Sequence, residues 1–378
     1  MDFDLTEEQR LLRDSVDRLI LDQYTFEKRK AYRAEPEGWS RALWAQYAEL
    51  GLLGLPFAEE YGGFGGGGIE LMLVMEAFGR GLALEPYLAT VVLAGTALRL
   101  AGSGAQRQEL LPQIAEGRLV LAWAHAERQA RYDLDFVATK AARKGDGWVL
   151  DGAKSVVVHG DCADRLIVSA RTAEAAQNET GITLFLVDAK APGVARRAYK
   201  MRDATGAAEI ALSGVEVGAE AVIGPVGNAF PIIERVVEAG IAATCAEAVG
   251  AMHALHDMTL EYLKTRQQFG RRIGDNQALQ HRATEMFMSL EQGRSMAMLA
   301  AMMMAEENAG ERAHNIAMAK VAVGQAARFV SQNAVQLHGG IGMTEELAVG
   351  HYFRRIMVIE HSFGDTTHHL GRLAAGAA

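Results

Sequence analysis

Thr265-Arg266-Gln267-Gln268-Phe269-Gly270-Arg271-Arg272-Ile273 and Gln336-Leu337-His338-Gly339-Gly340-Ile341-Gly342-Met343-Thr344-Glu345-Glu346 are the two stretches from which the rest of the chain is read. Each sets a charged or amide side chain beside a tight backbone. An arginine guanidinium such as that of Arg266 can fork two donors onto phosphate oxygens. Neighbouring glycines let a backbone approach where a side chain would block it. That pairing suits the pyrophosphate of a dinucleotide. For either stretch alone the plainer alternative is that Arg266 and Gln336 are ordinary surface residues and Gly339-Gly340 a helix stop, because short motifs misfire. Two such stretches in one chain weigh against it.

The 378 residues exceed what a single core usually serves, so two or three domains are expected. A composition of 49% hydrophobic and 22% charged residues is that of an ordinary globular protein. No run of about 18 apolar residues occurs, so no membrane span is expected. The acidic start Met1-Asp2-Phe3-Asp4-Leu5-Thr6-Glu7-Glu8 has neither the basic flank nor the apolar stretch of a secretory signal. The two cysteines, Cys162 and Cys245, stand far apart, which argues against disulfides and zinc and for a reducing cytoplasm. A net charge of -9 argues against nucleic acid as a partner. Any anionic ligand must then be held by local donors.

The first 118 or so residues read as helical. Thr6 is the expected N-cap of the first helix, with Gln9 in the capping-box position. Leu11, Leu12, Val16, Leu19 and Ile20 follow at helical spacing. A second pattern runs through Trp44, Tyr47, Leu50 and Leu53 and ends in Leu55-Pro56. The glycine-rich run from Tyr61 to Gly68 lacks a preceding strand and a Lys-Ser/Thr ending, so an inter-helix loop is the reading preferred to a phosphate cradle. Further helices are expected over about 69–81, 88–102 and 105–116. From about Leu119 short strands replace them: 147–152, 155–158, 165–168 and 182–187, all β-rich and bounded by Gly or Asp. Such spacing suggests an antiparallel barrel or sandwich. No GxGxxG follows any strand, so a nicotinamide fold is not supported. After Gly224-Pro225 the chain is helical to its end. The domain limits expected are 1–118, 119–225 and 226–378. The methionines from Met286 to Met304 fall at helical spacing and read as adaptable packing.

Helix, strand and helix in thirds, together with the two stretches quoted first, resemble the acyl-CoA dehydrogenase family over essentially the whole chain. The resemblance implies an α+β multi-domain fold: an N-terminal helical domain, a middle antiparallel β domain and a C-terminal four-helix bundle. It implies FAD as cofactor, with Arg266 and Gln268 on the pyrophosphate and Phe269 and Ile273 packing nearby. Gln336 and Gly340 would approach the dinucleotide from a neighbouring subunit. No metal is implied. The family reaction takes the α-proton of an acyl thioester onto a carboxylate while a hydride leaves the β-carbon for the flavin, so the site must strengthen a carboxylate as a base.

In many family members that base is the Glu of a Glu-Gly-Thr triplet near the C-terminus. Here His361-Ser362-Phe363-Gly364-Asp365-Thr366 stands there, and Phe363 cannot take a proton. Another branch places the base on the helix leading to Arg266; the matching position is Gly240. Seven residues on, two turns along the same face, is Glu247. It is the only charged residue between Ala239 and Met252. A lone carboxylate in such a stretch is costly if buried unpaired and is often kept for function. Glu247 is therefore the candidate base, with Glu238 weaker. The alternative is that Glu247 pairs with an arginine from another helix or faces solvent.

The middle segment departs from the family. Ala126, before Glu127, lacks the hydroxyl expected to bond the flavin ring, and Val156-Val157-Val158-His159 replaces a strand whose Trp flanks it. His125, before Ala126, is placed close to that ring. His338 and His368-His369 are read as structural or surface residues rather than ligand contacts. Within the family, Phe26 to Tyr32, Leu84 to Thr90, Cys245 to Met252 and Tyr262 to Arg266 are similar to the small subunits of bacterial pimeloyl-CoA dehydrogenases. That likeness implies a medium-chain acyl-CoA, with dicarboxylic ones such as pimeloyl-CoA in scope. It also implies electron-transferring flavoprotein as acceptor and an α2β2 assembly with a homologous large subunit, in place of a homo-oligomer. Two further readings stand beside it: a non-catalytic partner subunit, and an acyl-CoA oxidase or flavin monooxygenase on the same fold.

Overall fold

The computed structural model describes residues 4–173 and 176–376. Helices α1 (Glu7–Gln23), α2 (Phe26–Arg33), α3 (Arg41–Glu49), α4 (Gly68–Gly81), α5 (Gly95–Ala101) and α6 (Gly104–Ala115) lead, with a π-helical stretch Leu88–Ala94 running into α5. Strands β1 (Leu121–Ala124), β2 (Lys140–Lys144), β3 (Gly147–Val158), β4 (Arg165–Arg171), β5 (Ile182–Asp188), β6 (Val194–Lys200), β7 (Gly206–Val217) and β8 (Val222–Ile223) follow. The remainder is α7 (Phe230–Thr265), a hairpin of β9 (Gln267–Gln268) and β10 (Arg271–Arg272), then α8 (Gln277–Met303), α9 (Ala309–His338), α10 (Ala348–His361) and α11 (Thr366–Gly376).

The local signals explain the helix ends. Thr6 Oγ1 accepts the Gln9 N–H at 3.2 Å while Gln9 Oε1 accepts the Thr6 N–H at 3.0 Å, the capping box expected from the sequence. Helix α3 stops earlier than its apolar spacing suggests: Leu50 is its C-cap, and Gly51 at φ +73° turns the chain away before Leu53. Helix α2 gives no apolar stripe to read, since Arg29 is its one buried residue. No helix among the described residues is long and apolar enough to cross a membrane.

Two compact units divide these elements. One comprises Met1–Ala31, Gly67–Ala83 and Ile241–Ala378. In it α8 packs along α9, α10 and α11 cover α9, and α1 and α8 flank α4. Met286 and Met303 are buried in this packing while Met288 is exposed, so the methionine run serves both core and surface. Gly79 and Gly250 show why the centre of α7 is built from small residues: a Cβ on Gly79 would lie 2.0 Å from the Glu247 carbonyl oxygen, and one on Gly250 1.9 Å from that of Glu76. Helices α4 and α7 therefore touch backbone to backbone.

The other unit comprises Tyr32–Gly66 and Leu84–Gly240. Its sheet runs β6-β7-β3-β2-β4-β5-β8, with β1 beside β4. Most pairs are antiparallel, but β1 and β4 are parallel (Leu121↔Arg165 to Ala124↔Val168), and β2 meets β4 in parallel at Lys140↔Arg171. The domain is antiparallel as expected apart from these pairs, where the β2–β3 hairpin between β1 and β4 supplies the long crossover that parallel pairing needs. The two segments expected over 147–158 are one strand, β3, interrupted by irregularities at Leu150/Gly152 and Lys154/Val157. Trp148, Leu150, Leu166, Val168, Phe185, Val187, Ile210 and Val215 fill the core, with Trp148 edge-on to Phe185 at 5.6 Å. Strands β2 and β6, Lys-Ala-Ala-Arg-Lys and Val-Ala-Arg-Arg-Ala-Tyr-Lys, carry little β-branched signal and are placed by their neighbours instead.

Candidate functional site

The two stretches read first come together in the helical unit. Tyr262, four residues before Arg266, stacks on His338, two residues after Gln336, with ring centroids 4.5 Å apart. His338 is buried, its Nδ1 donates to the Ala334 carbonyl at 2.8 Å, and burial lowers its pKa. It is thus a structural tie between the ends of α7 and α9.

Beyond α7, Phe269 and Gly270 form the two-residue turn of the β9–β10 hairpin, both at positive φ (54° and 76°), the geometry that matches strand twist. The Ile273 N–H closes the hairpin onto the Arg266 carbonyl at 2.9 Å. Arg266, Gln268 and Gln336 are exposed, the Phe269 ring stands fully exposed at the turn, and Ile273 is half-buried. Gly339, at φ +68°, caps α9, and a Cβ on Gly340 would meet nothing within 4 Å. The backbone at Gly340 is therefore uncovered. Exposed guanidinium and amide donors at Arg266, Gln268 and Gln336, and an open backbone at Gly340, are each of a kind that fits the phosphates of a dinucleotide.

Glu247 is buried in α7, and the structure gives it an arginine from another helix. Arg355 of α10 donates Nε to Oε1 at 2.6 Å and Nη2 to Oε2 at 2.7 Å, a bidentate fork. Arg355 was not singled out from the sequence. The signal that would have found it is the spacing His351, Tyr352, Arg355 on one helical face. That face is held by its surroundings: the Tyr352 hydroxyl donates to the Arg80 carbonyl, and His351 Nδ1 accepts from Arg29, whose Nε donates to the Leu82 carbonyl at 2.9 Å. Glu238 is also buried on α7.

The C-terminal turn holds Phe363 at φ +59°, a left-handed position that is uncommon for a bulky side chain. His369 Nε2 donates to the Phe363 carbonyl at 2.9 Å, and Glu360 Oε1 accepts the Thr366 N–H at 3.1 Å. His369 is buried and its pKa is lowered to about 4, first by burial, so this histidine is a cap on the turn. His368 is half-buried beside it.

In the β unit, His125, Glu127, Lys154 and Ser169 form one buried network. Lys154 Nζ donates to Glu127 Oε1 at 2.7 Å, Ser169 Oγ at 3.0 Å and the His125 carbonyl at 3.1 Å. Glu127 also accepts the Ala138 and Thr139 N–H groups and the Thr139 hydroxyl. Burial lowers Lys154 to about 8, against the pull of Glu127. Burial and then the Lys154 charge hold His125 down to about 3, so the ring stays neutral and locked on Ser169. Arg171 donates to the carbonyls of Asp135, Val137, Ala176, Asn178 and Thr180. The sequence showed neither cation, because a charged residue inside a strand reads as solvent-facing. Val156 is half exposed at φ +51°, unusual for a β-branched residue, with its N–H on Glu209 at 3.3 Å. Among the described residues no group of His, Cys, Asp and Glu could hold a metal.

Comparison with known proteins gives three consecutive matches. The family model for the N-terminal domain of acyl-CoA dehydrogenases matches residues 6–118, that for the middle domain 122–217 and that for the C-terminal domain 230–378. The chain is 30% identical over 383 residues to the Bacillus subtilis protein named "Probable acyl-CoA dehydrogenase YngJ", covering 99% of this chain and 98% of that one. Among solved structures, butyryl-CoA dehydrogenase from Megasphaera elsdenii superposes with a TM-score of 0.91 at 25% identity, over 100% of both chains. A chain of the ChsE4-ChsE5 complex from Mycobacterium tuberculosis superposes with a TM-score of 0.90 at 29% identity, over 100% of this chain and 99% of that one.

Proposed function

Because this chain belongs to the acyl-CoA dehydrogenase family, we propose that it oxidises an acyl-CoA thioester to the trans-2-enoyl-CoA, with FAD as oxidant and Glu247 as base. Bound FAD supplies the acceptor for the hydride that leaves the β-carbon. The residues of this chain do the rest. Arg266 and Gln268 would hold the pyrophosphate, and Gln336 with the uncovered backbone at Gly340 would approach it from a neighbouring subunit. Phe269 and Ile273 would pack beside the dinucleotide.

The single observation that carries the base assignment is the burial of the Glu247 carboxylate, fixed in one orientation and shielded from water. A positioned carboxylate in a dry site can take a proton that one in water would take poorly. Phe363, in the turn where the other carboxylate of the family would stand, leaves that route closed. The substrate range proposed is medium-chain acyl-CoA, with dicarboxylic ones such as pimeloyl-CoA included. Electrons would pass on to electron-transferring flavoprotein.

A second reading is favoured by the same ion pair: both Glu247 oxygens are engaged by Arg355, and Ala126 and Val156 depart from the family's flavin contacts. On that reading the chain is the non-catalytic member of an α2β2 assembly with a homologous large subunit. Resemblance to a complex of two differently named chains, ChsE4 and ChsE5, supports it. Anaerobic absorbance of the flavin on adding octanoyl-CoA or pimeloyl-CoA separates the two. Bleaching in the wild type and not in flavin-loaded Glu247→Gln supports the dehydrogenase; flavin that stays oxidised with every acyl-CoA supports the partner subunit.

A further inference from the structure

We infer that Arg355 is a positioning residue for the base, acting through Glu247 and not on the substrate; this rests on the reading of Glu247 as the base. Three observations lead there. The fork is complete: both carboxylate oxygens of Glu247 are taken, at 2.6 and 2.7 Å, and among the described residues Arg355 is the only side chain that bonds them. The pair is sheltered, with the Glu247 side chain 4% and the Arg355 side chain 13% exposed. Both ends are immobilised. The Glu247 backbone lies against Gly79 of α4, and the α10 face that carries Arg355 is tied down through Tyr352 to Arg80 and through His351 to Arg29.

A guanidinium fork fixes the plane of a carboxylate as well as its charge. Held this way, Glu247 meets a substrate in one fixed orientation. In the step itself the Cα–H bond breaks and an O–H bond forms on Glu247. The Cβ–H bond would break with its electron pair, for which bound FAD would supply the acceptor, and the electrons of the Cα–H bond would form the Cα=Cβ bond. The negative charge leaves the Arg355 pair as the proton arrives.

The test is a double-mutant cycle of Glu247→Gln and Arg355→Gln, with Arg355→Lys as the conservative variant, read by stopped-flow flavin reduction over a range of octanoyl-CoA concentrations. A second readout needs no hydride transfer: incorporation of solvent deuterium at the α-carbon of an acyl-CoA that lacks β-hydrogens, followed by mass spectrometry.

The expected result is that Arg355→Gln slows reduction at saturating substrate at least tenfold, with half-saturation within twofold of wild type and deuterium uptake slowed in step. Arg355→Lys should recover part of the rate, and Arg355→Gln should add nothing in the Glu247→Gln background. Should Arg355→Gln alone fail to fold, the Arg355→Lys rate and the charge-free double variant carry the comparison. Wild-type speed in Arg355→Gln, or an equal slowing in both backgrounds, overturns this inference alone. Full activity in Glu247→Gln overturns the base assignment and this inference with it, and a wild-type flavin that no acyl-CoA bleaches overturns both.

Discussion

Two buried carboxylate–cation pairs, one in each unit, use the same chemistry differently. Glu127 accepts the Ala138 and Thr139 N–H groups and the Thr139 hydroxyl as well as Lys154, so the carboxylate would keep partners if the lysine were removed. Glu247 has Arg355 and nothing else among the described residues. A carboxylate woven into backbone amides is fixed in place by the fold. One facing a single side chain can change state when that side chain or its own proton count changes. The difference teaches why the first pair reads as scaffold and the second as a candidate for chemistry, although both are sheltered from water.

The sharpest way to break that contrast is at the scaffold pair. Lys154→Met leaves Glu127 charged and buried and should cost about 3–5 kcal/mol in urea unfolding, with faster amide exchange at Ala138 and Thr139. A loss near zero would mean that the pair is not what holds this network. Beneath the other pair, Gly79→Ala drives a methyl into the Glu247 carbonyl and should destabilise by about 1–3 kcal/mol, read as a lower Tm. Unchanged stability there would show that α4 and α7 can part without penalty.

Protons sharpen the comparison further. Unfolded, His125 binds a proton near its ordinary value of 6.5; folded, it is held off until about 3. Between those values the unfolded chain holds more protons. Stability should therefore fall as pH drops through that window, by about 1.4 kcal/mol per unit, and His125→Gln should flatten the slope in acid titrations of unfolding. The smallest effect belongs to neither pair: Thr6→Ala removes a cap and should cost about 1 kcal/mol, seen as fraying of α1.

Local grammar was legible in particular places. Thr6 and Gln9 announced α1, the glycine run before Gly68 marked an inter-helix loop, and Arg266 and Gln336 announced two stretches that the Tyr262–His338 stack brings together. What stayed hidden depended on distant partners. Lys154, Arg171 and Arg355 look like any surface cation in sequence. The parallel β1–β4 pairing has no local sign, and His125, which suggested proximity to the flavin, is occupied with Ser169.

The sequence by itself determined the family, the order of helix, strand and helix, and the isolation of Glu247 among small residues, because periodicity, capping and glycine placement act over a few residues. Only the tertiary structure decided that Glu247 meets Arg355, 108 positions away, and that its small neighbours exist to let α4 approach. The physical reason is that desolvation and pairing belong to the environment of a group, and a buried charge acquires its partner only when separate helices close around it.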